Sequence, residues 1–371
     1  MRIAILTSSR ADWGIYLPLA KALKSDKYFD LKIISFGTHL SDFYGKTINE
    51  IINNGFKVDF TIESILATDS PSSISTAMGL TMIKFGDFWK EYCQYFDLVF
   101  CIGDRFEMFA AVSAGIPFNI KFAHLHGGET TLGAIDNIFR HSISLASKIH
   151  FTSTESHAQY VSKLIGTNDG IYNVGAISLD NLKQLELLSI EEFKDKWGVD
   201  LLNKTILVTF HPETVDLDSN RQNVSNLIAA IDSLSEYQFI ITMPNADTAG
   251  NLIRTAFKHA FDGSKNVFLI ENLGSQSYFS ALKYVSFLLG NTSSGIIEAA
   301  SFNKYVINLG KRQLGRTSGA NVIHTQIQTS EILRAVSEIE QKEILMMQNI
   351  YYNGGATNKI LDALKKELSY D

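Results

Sequence analysis

The sequence predicts an α/β protein made of two similar doubly wound domains facing a cleft. Three observations lead there. Apolar, β-rich runs alternate with longer amphipathic stretches, the pattern of βαβ units around a parallel sheet. The alternation passes once through the first half and restarts after the charged stretch Glu191–Asp200. The chain has 371 residues, beyond the size at which one core usually stops growing. With 45% hydrophobic residues, each half can fill a core of its own.

In order, Arg2–Ser8, Leu31–Phe36, Leu98–Gly103, Lys121–His126, Ile149–Thr152 and Ile171–Val174 are the expected strands of the first half, with helices in the gaps. Thr205–Phe210, Phe239–Thr242, Val267–Ile270, Val285–Leu289 and Tyr305–Leu309 repeat the series. The boundary is expected near Gly175, giving a first domain of residues 1–175 and a second of 176–350. Residues 351–371 remain, and within them Asn358–Leu368 alternates as an amphipathic helix able to dock on either domain.

Composition removes several function classes. Charged residues make up 19% and the formal net charge is -6, which argues against a nucleic-acid binder with a broad basic surface. An anionic ligand must then be held locally. Cys93 and Cys101 form no C-x-x-C pair, so neither a disulfide framework nor a cysteine zinc site is indicated, and a reducing cytoplasm fits. Met1–Ser8 is too short for a signal-peptide core. No apolar run approaches the roughly 18 residues that span a bilayer, so no membrane partner is expected.

In open α/β sheets ligands bind at the carboxyl ends of strands, so those loops hold the candidate chemistry. Between Gly103 and His141, the stretches G-D-R-F-E, H-G-G-E-T and D-N-I-F-R-H carry Asp104, Arg105, Glu107, His126, Glu129, Asp136, Arg140 and His141. Asp104, Glu129 and Asp136 are expected to cluster. Converging carboxylates push one another's pKa values apart, leaving one that holds a proton and one that is ionised, which equips a site for acid-base work. The plainer reading of Asp136 is a helix N-terminal carboxylate, worth roughly 0.3–1 kcal/mol, with Arg140 and His141 bracing it. Glu107 is expected on the surface of its own helix.

Other loops follow the same rule. In S-S-R-A-D-W-G, Ser8, Ser9 and Gly14 suggest a tight turn aiming backbone N–H groups and Arg10 at an anion; a surface salt bridge is the plainer role for Arg10. The dinucleotide fingerprint G-x-G-x-x-G is missing there, which counts against an NAD-dependent enzyme. Leu288–Glu298 reads as a strand, a small-residue loop and a helix start, with Ser293 or Ser294 as the cap and free N–H groups for a diphosphate. The Gly-Lys-Ser/Thr ending of a Walker A loop is absent. His211-Pro212-Glu213-Thr214 and Met243–Asp247 also follow strands, and His39 follows the second one. No paired spacing such as H-E-x-x-H marks a metal site.

These motifs together closely resemble the hydrolysing UDP-N-acetylglucosamine 2-epimerases of bacterial sialic-acid (capsule) biosynthesis, nearly end to end. The carriers are S-S-R-A-D-W-G at Ser8–Gly14, G-T-H-L-S at Gly37–Ser41, G-D-R-F-E at Gly103–Glu107, H-G-G-E-T at His126–Thr130 and F-R-H-S-I at Phe139–Ile143. T-S-T-E at Thr152–Glu155, F-H-P-E-T at Phe210–Thr214, N-A-D-T at Asn245–Thr248 and G-N-T-S-S-G at Gly290–Gly295 complete the set. His-Pro-Glu-Thr stands where non-hydrolysing 2-epimerases look like His-Arg-x-Glu-Asn, which favours the hydrolysing branch.

The resemblance implies a GT-B arrangement of two Rossmann-like domains, UDP in their cleft, and a terminal helix returning to the first domain. Asp104, Glu129 and Asp136 match the family's catalytic positions. Arg10, Arg105, His211, Asn245, Ser293, Ser294, Glu298 and Arg312 match its nucleotide contacts, Glu298 accepting from ribose hydroxyls; His211 joins the catalytic set by steadying the departing diphosphate. His39 matches a cleft histidine. The resemblance implies no cofactor, a UDP-sugar as the partner and a homodimer or homotetramer. The implied reaction turns UDP-N-acetylglucosamine into N-acetylmannosamine and UDP. G-E-T-T-L-G-A-I-D departs from the sialic pattern, keeping open the same reaction on a 2,4-diacetamido-2,4,6-trideoxy-glucose nucleotide. A GT-B glycosyltransferase and a non-catalytic sugar-nucleotide sensor are the rival readings.

Overall fold

A computed structural model describes residues 1–66, 68, 70–244, 249–343 and 348–367. They form two compact units. The first comprises Met1–Glu129, Asp136–Asn181 and Tyr351–Asp371, and the second Thr130–Ile135 and Leu182–Ile350. Among the described residues no helix is long and apolar enough to cross a membrane.

The first unit is built on seven strands: β1 (Arg2–Thr7), β2 (Asp30–Phe36), β3 (Phe60–Ile62), β4 (Leu98–Ile102), β5 (Phe122–Leu125), β6 (Ile149–Thr152) and β7 (Ile171–Asn173). They lie in the order β3-β2-β1-β4-β5-β6-β7, every pair parallel. The order runs outward in both directions from β1 and β4, so the switch point, where such sheets open a crevice for ligands, lies between those two strands. The second unit repeats the plan with β8 (Thr205–Thr209), β9 (Gln238–Thr242), β10 (Val267–Ile270), β11 (Phe287–Gly290), β12 (Val306–Leu309) and β13 (Val322–Thr325). Its order is β10-β9-β8-β11-β12-β13, again all parallel, with the switch between β8 and β11. The expected two doubly wound parallel-sheet domains are therefore what the chain forms.

The central strands β4, β5, β6, β8 and β11 are buried along their whole length, as sheets covered on both faces require. Two strands lie outside the expected set, β3 and β13. Both are edge strands with exposed or half-buried positions, so neither shows the apolar run that marks its inner neighbours. The helix Pro71–Tyr92 supplies the aromatic lining of the first core, where Phe85 meets Phe36 edge-on at 4.9 Å and Trp89 at 5.7 Å. The C-terminal helix Ala356–Glu367 buries Ile360 and Leu364 in the same core.

The chain passes to the second unit at Leu182 rather than near Gly175. The reason is local: Asp180 accepts hydrogen bonds from the backbone of Ala356 and Thr357, and Asn181 donates to the carbonyl of Gly14, which ties this segment to the first unit. Thr130–Ile135 makes its contacts within the second unit, Leu132 N–H donating to Leu314 O at 2.9 Å and Ile135 N–H to Thr214 Oγ1 at 3.1 Å.

Candidate active site

At the switch point of the first sheet, β1 runs directly into the helix Arg10–Ser25. Ser9 caps it in a capping box with Asp12. Asp12 accepts from Ser8 N–H (2.8 Å), Ser8 Oγ (2.6 Å), Ser9 N–H (3.1 Å) and Ser9 Oγ (3.0 Å). A buried carboxylate with this many donors is fully satisfied and fixes the loop. Gly14 is thus inside a helix and not in the turn expected from the sequence, because Ser9 already starts the helix five residues earlier. Arg10 is the first residue of that helix and half-buried.

His39 sits beneath this loop, fully buried. Its Nε2 lies 2.8 Å from Thr7 Oγ1 and its Nδ1 2.8 Å from Thr47 Oγ1. Burial pushes its pKa down to about 4, against the opposing charge of Asp12, and Arg105 pushes the same way as burial. His39, Asp12 and Arg105 are therefore electrostatic neighbours across the ends of β1, β2 and β4.

Beyond β4, Arg105 clamps Glu107 through Nε (3.2 Å) and Nη2 (2.9 Å). Only 1% of the Glu107 side chain is exposed, so the expectation that it faces the surface of its helix is wrong. Burial raises its pKa and Arg105 opposes the rise. Asp104, half-buried, is held by Arg140 Nη2 from the helix Asp136–Ala146. Arg140 thus serves Asp104, not the neighbouring Asp136 that sequence proximity suggested, because its side chain points back toward the end of β4. Asp136 itself opens that helix, where the positive end of the dipole favours a carboxylate.

Beyond β5, His126, Glu129 and Ser153 form one buried group. His126 Nδ1 lies 3.0 Å from Glu129 Oε1 and 2.8 Å from Ser153 Oγ, and Ser153 Oγ donates to Glu129 Oε1 at 3.1 Å. The turn that makes this possible is tight: Gly128 has φ +80°, and a Cβ there would sit 2.3 Å from the carbonyl of His157.

The second sheet gathers its loops in the same way. After β8, His211 N–H donates to Asn291 Oδ1 (2.7 Å), and Asn291 Nδ2 donates back to His211 O (2.9 Å), closing the switch point with a reciprocal pair. Gln313 Nε2 (2.8 Å) and Arg312 Nη1 (3.3 Å) both donate to Asn291 O. Thr292 caps the helix Ser293–Ile297, so Ser293 and Ser294 are its first two residues and not the cap expected from the sequence; Thr292 has the extended backbone of a cap and its hydroxyl takes the Ser294 N–H. Glu298 ends that helix and is buried. The Tyr278 hydroxyl is buried beside Ser294 and Thr209 and feels the Glu298 charge; burial above all raises its pKa.

The structure thus gathers His39, Asp104, Arg105 and Glu129 at the carboxyl edge of the first sheet, with Arg10 and Asp136 at adjoining helix starts. It gathers His211, Ser293, Ser294, Glu298 and Arg312 around Asn291 in the second. Asn245 lies outside the described residues. Asp12, Ser153, Tyr278, Asn291 and Gln313 were not singled out from the sequence. Ser153 and Asn291 stand inside the quoted T-S-T-E and G-N-T-S-S-G motifs, whereas Tyr278, on the helix Gly274–Tyr284, has no signal in its neighbours.

The chain and its architecture have counterparts in known proteins. The chain is 34% identical over 364 residues to a UDP-N,N'-diacetylbacillosamine 2-epimerase (hydrolyzing) of Legionella pneumophila, covering 98% of this chain and 95% of the relative. It is 32% identical over 366 residues to the polysialic acid biosynthesis protein P7 of Escherichia coli, covering 98% and 93%. Its fold is similar to that of the UDP-GlcNAc 2-epimerase from Neisseria meningitidis bound to UDP-GlcNAc, with a TM-score of 0.81 at 18% identity over 99% of this chain and 100% of that one. The family model for UDP-N-acetylglucosamine 2-epimerase matches residues 21–365, and the chain belongs to that family.

Proposed function

We propose that this protein is a hydrolysing 2-epimerase that converts UDP-N-acetylglucosamine to N-acetylmannosamine and UDP. The observation that supports the reading is the set of buried ionisable groups at the β4 and β5 ends of the first unit, where Arg140 holds Asp104 and His126 and Ser153 hold Glu129, in a chain that the family model matches over residues 21–365. In this reading the second unit holds UDP. Ser293 and Ser294 offer the N–H groups of a helix start to the diphosphate, Glu298 accepts from the ribose, and His211 and Arg312 steady the leaving group. In the first unit, Arg10 and Arg105 are the cations proposed for nucleotide contact. Asn245 joins them on the strength of its motif.

The hydrogen at the sugar's second carbon lies next to an amide nitrogen and not a carbonyl, so it becomes acidic only as positive charge develops at the anomeric carbon. Departure of UDP therefore leads. Charged and N–H groups aimed at the diphosphate lower that barrier. A base takes the proton at the second carbon, the C–H electrons form a double bond to the anomeric carbon, and UDP leaves with its oxygen's electron pair. Water then adds to the anomeric carbon of the glycal while an acid protonates the second carbon from the other face. Asp104, Glu129 and Asp136 are the proposed acid-base set. The setting is the cytoplasm, which suits the unpaired Cys93 and Cys101, and the working form a homodimer or homotetramer.

Turnover in heavy water tests the scheme: free UDP should appear and the product should carry deuterium at its second carbon, whereas ordinary hydrogen there overturns elimination and hydration. A second substrate, a 2,4-diacetamido-2,4,6-trideoxy-glucose nucleotide, is favoured by the activity for which the Legionella relative is named. Comparing kcat/KM for the two sugar nucleotides decides between them.

A further inference from the structure

His126 carries three features that packing alone does not explain. It is a non-glycine residue with φ +64°, a conformation that costs an ordinary side chain about 1–2 kcal/mol. Its ring is 8% exposed and its Nδ1 is taken up by Glu129 and Ser153. Its Nε2 is buried and has no hydrogen-bond partner. A buried polar atom left unsatisfied costs about 1–3 kcal/mol, and a protein that tolerates both this and a strained backbone at one residue points to a use for it.

One tautomer completes the group: with the hydrogen on Nδ1, His126 and the Ser153 hydroxyl both donate to Glu129 Oε1, and Nε2 carries the lone pair. An imidazole fixed by a carboxylate on one nitrogen and unpaired on the other is the arrangement that lets a histidine take a proton and be stabilised as the imidazolium. Gly128, packed against the His157 carbonyl, holds the turn in one shape, and the residue follows β5 at the sheet's carboxyl edge.

We propose that His126 is the catalytic base of the elimination step, with Glu129 and Ser153 acting through it as positioning residues. The inference rests on the epimerase reading above and changes one role in it: Glu129 acts through His126, leaving Asp104 and Asp136 as the carboxylates that exchange protons directly. Nε2 takes the proton from the sugar's second carbon; the C–H electron pair becomes the carbon–carbon double bond, and UDP carries off the electron pair of the broken anomeric C–O bond.

The test compares the parent with His126→Asn, a substitution whose residue also tolerates positive φ, using UDP-N-acetylglucosamine bearing hydrogen or deuterium at the second carbon, or the diacetamido nucleotide if the parent prefers it. Loss of a general base should lower kcat by about a hundredfold or more, leave the dissociation constant for UDP within about threefold of the parent's by the same differential-binding logic, and increase the deuterium isotope effect on kcat as proton removal becomes fully rate-limiting. Glu129→Gln should show a smaller loss in kcat with the same rise in isotope effect. His126→Asn turning over within about threefold of the parent, or losing UDP binding with an unchanged isotope effect, overturns the proposal. If His126→Asn does not fold, Glu129→Gln decides alone, an unchanged isotope effect counting against the relay. A parent that releases no UDP from either nucleotide sinks the epimerase reading itself, and this inference with it.

Discussion

Among single side chains, Glu107 and Arg105 show how the first unit keeps charge out of water. Glu107 is 1% exposed and Arg105 13%, so the bidentate contact replaces most of their hydration. A buried pair is weak evidence of net stabilisation, but removing one partner strands the other and typically costs about 3–5 kcal/mol. Removing Arg105, which strands the buried carboxylate, has a pH signature. Burial already holds the Glu107 pKa above its ordinary 4.5, so its protonated form is the one the fold favours; such a group contributes fully below its unfolded pKa and loses its contribution as pH rises through the folded value. Removing Arg105 takes away the charge that opposes this rise. The stability deficit of Arg105→Ala should accordingly grow between pH 5 and pH 8, and equal deficits at the two ends would refute the argument.

At the level of elements, the C-terminal helix depends on a carboxylate from a distant part of the chain. Asp180 is buried and accepts the Thr357 N–H at 2.7 Å and the Ala356 N–H at 3.3 Å, taking donors that no residue inside the helix can satisfy. Asp180→Ala should cost about 1–2 kcal/mol and speed amide exchange at Ile360 and Leu364 more than in β4; uniform exchange rates would show that the cap is dispensable. The helix itself could be read from its apolar spacing, but its cap could not, since Asp180 and Thr357 are joined only by folding. The same division runs through the site. Central strands such as β4 and β11 announce themselves because burial on both faces demands an apolar run, and the loops that follow them could be placed at the carboxyl edge by that fact alone. Edge strands β3 and β13 lack the run. Partnerships such as Arg140 with Asp104, His126 with Ser153, and Asn291 with His211 bridge different elements and leave no spacing in the sequence. Gly290 is an intermediate case: a glycine ending an apolar run hints at a turn, yet the reason it must be glycine is φ +147° and a Cβ position 2.0 Å from the backbone oxygen of Thr209.

On the scale of the whole molecule, the buried histidines set an acid limit on stability, and they are concentrated in the first unit. Burial pushes His39 down to about 4, His124 to about 3 and His150 to about 4 from an ordinary value of 6.5. All three are neutral in the fold and gain protons first in the unfolded chain. A depressed histidine leaves stability intact above pH 6.5 and removes it as pH falls toward the folded value, because in that window the unfolded state binds more protons. At 1.36 kcal/mol for each unit of difference, each contributes a loss of about 3 kcal/mol by pH 4. His150 isolates the effect, since it lies fully buried in β6 and the polar group beside it is the Ser147 backbone, too poorly placed for a full hydrogen bond, so an apolar residue there forfeits little. His150→Leu should have nearly the parent's stability at pH 7 and exceed it by about 3 kcal/mol at pH 4, read from urea unfolding at both values. A variant whose stability falls with acid as steeply as the parent's would show that His150 is already charged in the folded unit.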